Sequence, residues 1–207
     1  NALDAGATRI TIGLWPQQRR VQVSDNGSGL SWEDLLQVAL PHTTSKIKAF
    51  DNLNELRTLG FRGEALHSLA QLSQLEICSR TGSRTDDGST GWRVTYDTQG
   101  TVAQAEEIAI APGSTVTVTQ LFETWPTRQQ SVVKPKQVLR SIQSIIGDYA
   151  LCHPNVTWQV RHNDRDWFNV APGKSPKDIL LQLLRNISPD DLKVATANLN
   201  LEEALQI

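Results

Sequence analysis

The sequence predicts an α+β fold, a two-layer α/β sandwich in which helices cover one face of a mixed, mostly antiparallel sheet. Three observations lead there: helical patterns cluster early, strand-like runs cluster in the middle, and no regular βαβ alternation appears. At 207 residues and 39% apolar content the chain can bury a real core, and a single domain over 1–207 is expected.

Asn1 to Ala5 reads as the tail of a helix, because Gly6 is the usual left-handed terminator. Thr8–Leu14 alternates with Ile10, Ile12 and Leu14 on one side, and Arg20–Asp25 follows with Val21 and Val23 inward, so the two should form a hairpin. Ser31 and Asp34 have capping-box spacing at the head of a helix over Ser31–Leu40, which Pro41 stops; Asp51 caps a short helix to Thr58. Gly60–Gly63 breaks the pattern, and Glu64–Leu72 resumes it with Leu66, Leu69 and Ala70 on one side. Leu75–Arg80, Trp92–Tyr96, Val102–Ile110 and Ser114–Leu121 are rich in β-formers, punctuated by turns at Asp97-Thr98-Gln99-Gly100 and Pro112-Gly113. Ser83–Gly91 has the composition of a mobile loop. Lys136–Cys152 carries Val138, Leu139, Ile142, Ile145, Ile146 and Tyr149 at helical spacing. Strands Thr157–Arg161 and Asp166–Val170 then flank an Asn163-Asp164 turn, and Lys177–Asn186 closes as a helix.

Composition excludes several classes. No run of eighteen apolar residues exists and no basic-then-apolar leader opens the chain, so a membrane span is not expected and a cytoplasmic home is. Cys78 and Cys152 lack CxxC or Cys/His ligand spacing, and both read as buried thiols. With 20 basic and 22 acidic residues, net charge −2, the chain neither announces nor excludes nucleic acid. It opens mid-helix on Asn1 and contains no methionine, which reads as an internal piece of a longer protein.

Asp25-Asn26-Gly27-Ser28-Gly29 is the first stretch that looks chosen for a ligand. Strand alternation puts Asp25 on the face of Val21 and Val23, and a buried carboxylate needs donors, such as the amino group of adenine. Gly27 and Gly29 remove side chains where a flat base would approach the backbone. In isolation the motif fits a capped surface turn equally well. Gly60-Phe61-Arg62-Gly63-Glu64-Ala65-Leu66 is a glycine-containing turn entering a helix, whose free N–H groups suit phosphate oxygens, yet it lacks the GxxxxGK[ST] of a P-loop. His42-Thr43-Thr44-Ser45-Lys46 is a polar loop that could close over a triphosphate with Lys46 as a point charge, or be a solvated connector. Asn1 and Ala5 share a helical face, and Asn is a neutral oxygen ligand suited to Mg²⁺ already carried by phosphates. At Gly113-Ser114-Thr115 a hydroxyl beside Asp25 could orient a base or a bridging water, although ordinary strand chemistry explains it as well. His42 and His67 have no nucleophile at triad spacing.

Taken together and in order, Asn1–Ala7, Asp25–Gly29, His42–Lys46, Gly60–Leu66 and Gly113–Val116 resemble the motif set of MutL mismatch repair proteins, members of the GHKL ATPase superfamily. Gyrase B subunits, heat-shock ATPase chaperones and sensor histidine kinases share the D-x-G-x-G element, but Leu59–Leu66, LGFRGEAL, looks like MutL in particular. The wording of Leu40–Lys46 and Cys152–Gln159 is most similar to cyanobacterial members. The resemblance is recognisable from Asn1 to about Arg128. It implies the Bergerat ATP-binding fold, with ATP and Mg²⁺ as cofactors, Asn1 on the metal, Asp25 on adenine, and Gly27 and Gly29 shaping the base pocket. Thr44, Ser45 and Lys46, with Gly60, Phe61, Arg62, Gly63, Glu64, Ala65 and Leu66, would form the lid and phosphate cradle over Thr43–Arg62; Ala5 would line the pocket, and Ser114 or Thr115 would assist Asp25. LFETWPTRQQ departs from the family's next signature around Thr124 to Gln130.

The family's catalytic Glu lies one helical turn before the position of Asn1, so within this stretch no general base is expected and hydrolysis by the 207 residues alone should be nearly absent. Transducer and dimerisation domains are expected beyond Ile207. The resemblance implies a parent ATPase that couples mismatch recognition by MutS to downstream repair factors, acts at DNA, and dimerises with itself. The other reading is a non-catalytic module of the same fold that docks DNA or protein partners.

Overall fold

The computed structural model describes residues 1–41, 64–82, 90–123, 125, 127–128, 135–184 and 186–193. Eight strands form one sheet: β1 (Arg9–Trp15), β2 (Arg20–Asp25), β3 (Gln74–Arg80), β4 (Gly91–Tyr96), β5 (Val102–Ile108), β6 (Gly113–Thr119), β7 (Thr157–His162) and β8 (Arg165–Val170). Their order is β5-β4-β3-β6-β2-β1-β7-β8, and β1 with β7 is the parallel pair in an otherwise antiparallel ladder. The helices are α1 (Trp32–Gln37), α2 (Ala65–Leu72), α3 (Pro135–Cys152) and α4 (Pro176–Leu183). The mixed, mostly antiparallel sheet predicted from the sequence is therefore present.

Register explains why the helices lie on one side. Val160, Ile12, Val23, Val116, Ile77 and Val94 are successive cross-strand partners, so they share one face. That face carries two adjoining cores. In the first, Ile10, Leu14, Trp158, Val160 and Val170 meet Ile146 and Ala150 of α3 and Ile179 of α4. In the second, Leu75, Ile77, Val94 and Val118 meet Leu35 and Ala39 from the α1 segment and Ala70 of α2. The opposite face is a polar ladder, in which Gln22 donates to Thr117 at 3.0 Å and Thr115 to Ser24 at 3.0 Å. The two hairpins at the first core's edge turn as their residues allow. Arg19 is left-handed beneath Arg20, whose guanidinium stacks 4.3 Å from the Trp15 ring, and Asn163 and Asp164 are both left-handed, the geometry of a tight primed turn.

Several element ends differ from expectation, each for a local reason. The Ser31–Asp34 capping box forms, but α1 stops at Gln37 rather than Leu40. The Ala39 carbonyl faces His67 Nδ1 at 3.0 Å and abuts Gly100, where a side chain would clash with it. β6 stops at Thr119 because Gln120 and Phe122 adopt left-handed conformations, and α4 stops before a left-handed Asn186. On α3, Ile145 and Tyr149 point outward, 52% and 41% exposed, so the buried stripe is narrower than the apolar one. Val21 shares the inward face yet is 37% exposed, at the end of β2 remote from Asp25. The short helix expected over Asp51–Thr58 lies outside the described residues, as does most of Ser83–Gly91, whose last member begins β4.

The expectation of two buried thiols is half right. Cys78 is buried, whereas Cys152, the last residue of α3 and off the Ile146–Ala150 stripe, is exposed. Burial pushes the Cys78 thiol up, an effect that the Arg93 guanidinium beside it opposes. Since the thiolate is the reactive form, a disulfide reagent at pH 8 should titrate one fast thiol in the native chain, and Cys152→Ser should remove that phase. Two fast thiols, or a fast phase surviving Cys152→Ser, would contradict the assignment.

Candidate nucleotide site

At one end of the inward face a polar row replaces the apolar one. Ile10 pairs with Asp25, Asp25 with Ser114, Ser114 with Ser79, and Ser79 with Trp92, so the row crosses from the first core to the second. Asp25 thus ends β2 facing the helices' side of the sheet and is partly buried, as alternation predicted. Its Oδ1 accepts the Gly27 N–H at 2.8 Å, and among the described residues none bonds its second oxygen.

The chain beyond Asp25 is held by Asn26, whose Oδ1 accepts N–H groups from Thr8 (2.9 Å) and Arg9 (2.8 Å) while its Nδ2 donates to the Thr8 hydroxyl at 2.9 Å. That anchor fixes the loop so that its glycines meet other backbone. A Cβ on Gly27 would sit 2.8 Å from both Cβ and O of Ala5, and one on Gly29 would lie 2.0 Å from the Arg80 carbonyl oxygen, with φ +73. Gly113, φ +126, would place a Cβ 2.1 Å from the Asp25 carbonyl oxygen. The glycines therefore let three strands and a turn converge on Asp25, and a side chain at Gly27 alone would also crowd its carboxylate, 3.0 Å from Oδ1.

Asn1–Gly6 is a hydrogen-bonded turn rather than a regular helix: Ala5 N–H donates to the Asn1 carbonyl at 2.9 Å and Gly6, φ +71, ends it. Ser28 N–H donates to the Ala5 carbonyl at 2.9 Å, which docks this turn on the glycine loop and brings Asn1 and Ala5 to the Asp25 side of the sheet. Asn1 is exposed.

The structure brings Ala5, Asp25, Gly27, Gly29 and Ser114 together. It separates Thr115, whose hydroxyl lies on the opposite face and donates to Ser24, so of the two hydroxyls proposed to stand beside Asp25 strand alternation selects Ser114. Glu64 precedes α2 and Ala65 begins it, both exposed, while Leu66 packs into the second core. Thr44, Ser45, Lys46, Gly60, Phe61, Arg62 and Gly63 lie outside the described residues, as does His42. His67 ties α2 to Ala39 and to the Gln71 side chain, 3.1 Å from its Nε2. A shallow depression lined by Arg20, Glu76, Thr95, Gln104 and Thr117 belongs to the other face of the sheet and is no part of this site.

Ser79 carries no sequence signal of its own, yet it is fully buried at the centre of the row. Its hydroxyl accepts from Leu30 N–H at 2.9 Å, donates to the Gly113 carbonyl at 2.9 Å, and lies 2.8 Å from the Ser114 hydroxyl. Beyond it Trp92 and Trp32 stack with centroids 4.4 Å apart. Only the β3–β6 register, set by residues far from Ser79 in sequence, discloses this placement.

Comparison with known proteins agrees with this fold. Residues 1–121 match the family model described as histidine kinase-, DNA gyrase B- and HSP90-like ATPase. The DNA mismatch repair protein MutL of Rippkaea orientalis is 53% identical over 193 residues, 93% of this chain and 34% of that protein. The chain spans about a third of the length of the curated relatives it matches. Among solved structures, the N-terminal domain of a DNA repair protein superposes with a TM-score of 0.71 at 27% identity, covering 90% of this chain and 55% of that one. The Aquifex aeolicus MutL ATPase domain complexed with ADP superposes with a TM-score of 0.67 at 22% identity, covering 88% and 63%, and so shares the fold.

Proposed function

Because the chain belongs to the histidine kinase-, DNA gyrase B- and HSP90-like ATPase family, within its MutL group, we propose that the Asp25 row is its adenine site and that the domain works as an ATP-operated switch. One observation carries the reading. Among the described residues nothing bonds the second oxygen of a strand-end carboxylate, which sits in a loop whose glycines cannot accept side chains without clashing with neighbouring backbone.

The residues fit the nucleotide. Asp25 takes the amino group of the base, Gly27 keeps a side chain away from its carboxylate, Gly29 lets the loop lie against the Arg80 backbone, and Ser114 stands next to Asp25 on the same face. Thr44, Ser45, Lys46 and Gly60 to Gly63 enter this proposal by resemblance alone, as groups for the triphosphate, with Glu64 and Ala65 following at the start of α2. Asn1 offers a single neutral oxygen, which suits Mg²⁺ whose charge is met by phosphate oxygens rather than a cation held by protein alone. Mg²⁺ bound there would supply charge neutralisation at the phosphates.

In the whole protein we place this domain upstream of repair: ATP binding reorganises its surface, and MutS, DNA and a second copy of the same protein read the change. No described helix is long and apolar enough to cross a membrane; a cytoplasmic setting is part of the same proposal. Calorimetric titration of the chain with Mg²⁺-ATP tests the site. Saturable one-to-one binding that ADP competes away is expected. No measurable heat, together with unchanged thermal stability at millimolar ATP, would overturn the reading, since a ligand that binds the native state must raise its stability.

A further inference from the structure

We infer that Ser79 is a positioning residue for base selection: through Ser114 it turns the pocket into a pair of acceptors that admits a 6-amino purine and rejects a 6-oxo purine. The inference rests on the adenine-site reading above. It follows from counting protons. The Ser79 hydroxyl has one proton and two lone pairs, and it makes three contacts, to Leu30 N–H, the Gly113 carbonyl and the Ser114 hydroxyl. Leu30 N–H can only donate and the Gly113 carbonyl can only accept. All three bonds are therefore made in one way only, with Ser79 donating to Gly113 and Ser114 donating to Ser79.

Ser114 has then spent its proton away from the pocket, and what it offers beside Asp25 is lone pairs. Asp25 is an acceptor as well, with Oδ1 taken by Gly27 N–H. Two acceptors in adjacent register on one face suit an exocyclic amino group, which brings two protons, and oppose a carbonyl oxygen, which brings none. Ser79 is fully buried, so no water competes for this arrangement. Without the Ser79 hydroxyl, Ser114 is released to rotate and donate toward the base, and the carbonyl of a 6-oxo purine becomes tolerable.

The test measures binding of ATP and inosine triphosphate by the full chain, as wild type, Ser79→Ala, Ser114→Ala and the double variant. The wild type should prefer ATP by roughly a hundredfold or more, as sites built around a substrate's hydrogen-bonding group do. Ser79→Ala should cut that preference about tenfold, mainly by improving inosine triphosphate binding. The double variant should show no smaller preference than Ser114→Ala, because Ser79 acts through Ser114. If ATP binds but Ser79→Ala weakens both nucleotides by one factor, Ser79 is only structural and the inference falls while the adenine site stands. If the wild type binds no ATP, both fall. Should Ser79→Ala not fold, Ser114→Ala decides alone: a reduced preference supports the acceptor pair, and an unchanged one overturns it.

Discussion

Asp25→Asn should lower the affinity for ATP by tenfold or more while leaving the fold intact. A hydrogen bond to a charged acceptor is worth about 1.5–3 kcal/mol, which spans roughly ten- to a hundredfold in affinity. The geometry pushes the effect toward the upper end. Gly27 N–H already donates to Oδ1 at 2.8 Å, so an asparagine must keep its carbonyl oxygen on Gly27 and turn its amide nitrogen to the pocket. A donor would then face the amino group it should accept from. Calorimetry against ATP, with circular dichroism to verify the fold, measures this. Unchanged affinity would remove Asp25 from the base-binding role.

The second large effect is expected at Gly29. An alanine there needs a left-handed backbone, at about 1–2 kcal/mol, and drives its Cβ to 2.0 Å from the Arg80 carbonyl oxygen and 2.6 Å from the Arg80 carbonyl carbon. Both neighbours are main chain of β3 and cannot swing aside, so overpacking adds about 1–3 kcal/mol. Gly29→Ala should therefore lose about 2–5 kcal/mol in denaturant unfolding and bind ATP poorly, because the loop that carries Gly27 must move. Gly82→Ala is the control. Its nearest neighbour is a Pro112 Cβ at 3.6 Å, an ordinary contact, and its stability should stay near wild type. Equal behaviour of the two variants would mean that the Gly29 approach is not tight.

Much of this was legible in the residues, and the limits have identifiable causes. Alternation placed Ile10, Ile12, Leu14, Val21 and Val23 on one face and so put Asp25 on the helix side, and the glycines around it flagged a close approach. Choosing between Ser114 and Thr115 required the β2–β6 register, which depends on pairing across 91 positions of sequence. Ser79 was invisible for the same reason. Helix ends were misjudged where tertiary partners consume the last carbonyls, as at Ala39, and side-chain burial was misjudged where an apolar stripe is wider than the surface it meets, as at Ile145 and Cys152. Periodicity reports which residues can be inside; only packing decides which are.

The parallel pair carries a consequence for how the molecule assembles. The second core draws on a nearly contiguous stretch, from Leu30 to Leu121, whereas the first joins Ala2–Val23 to Leu139–Leu183. β1 has a local partner in β2 but its other neighbour is β7, with Thr11 and Gln159 bonded across 148 positions. Closing so long a loop precedes any reward from the contacts it allows, which slows folding. During synthesis, then, β1 keeps an unpaired edge until the ribosome has delivered β7. The nucleotide site inherits that schedule, since Asp25 rests against Ile10 and its loop is anchored to Thr8 and Arg9 at the head of β1, the strand that waits for β7.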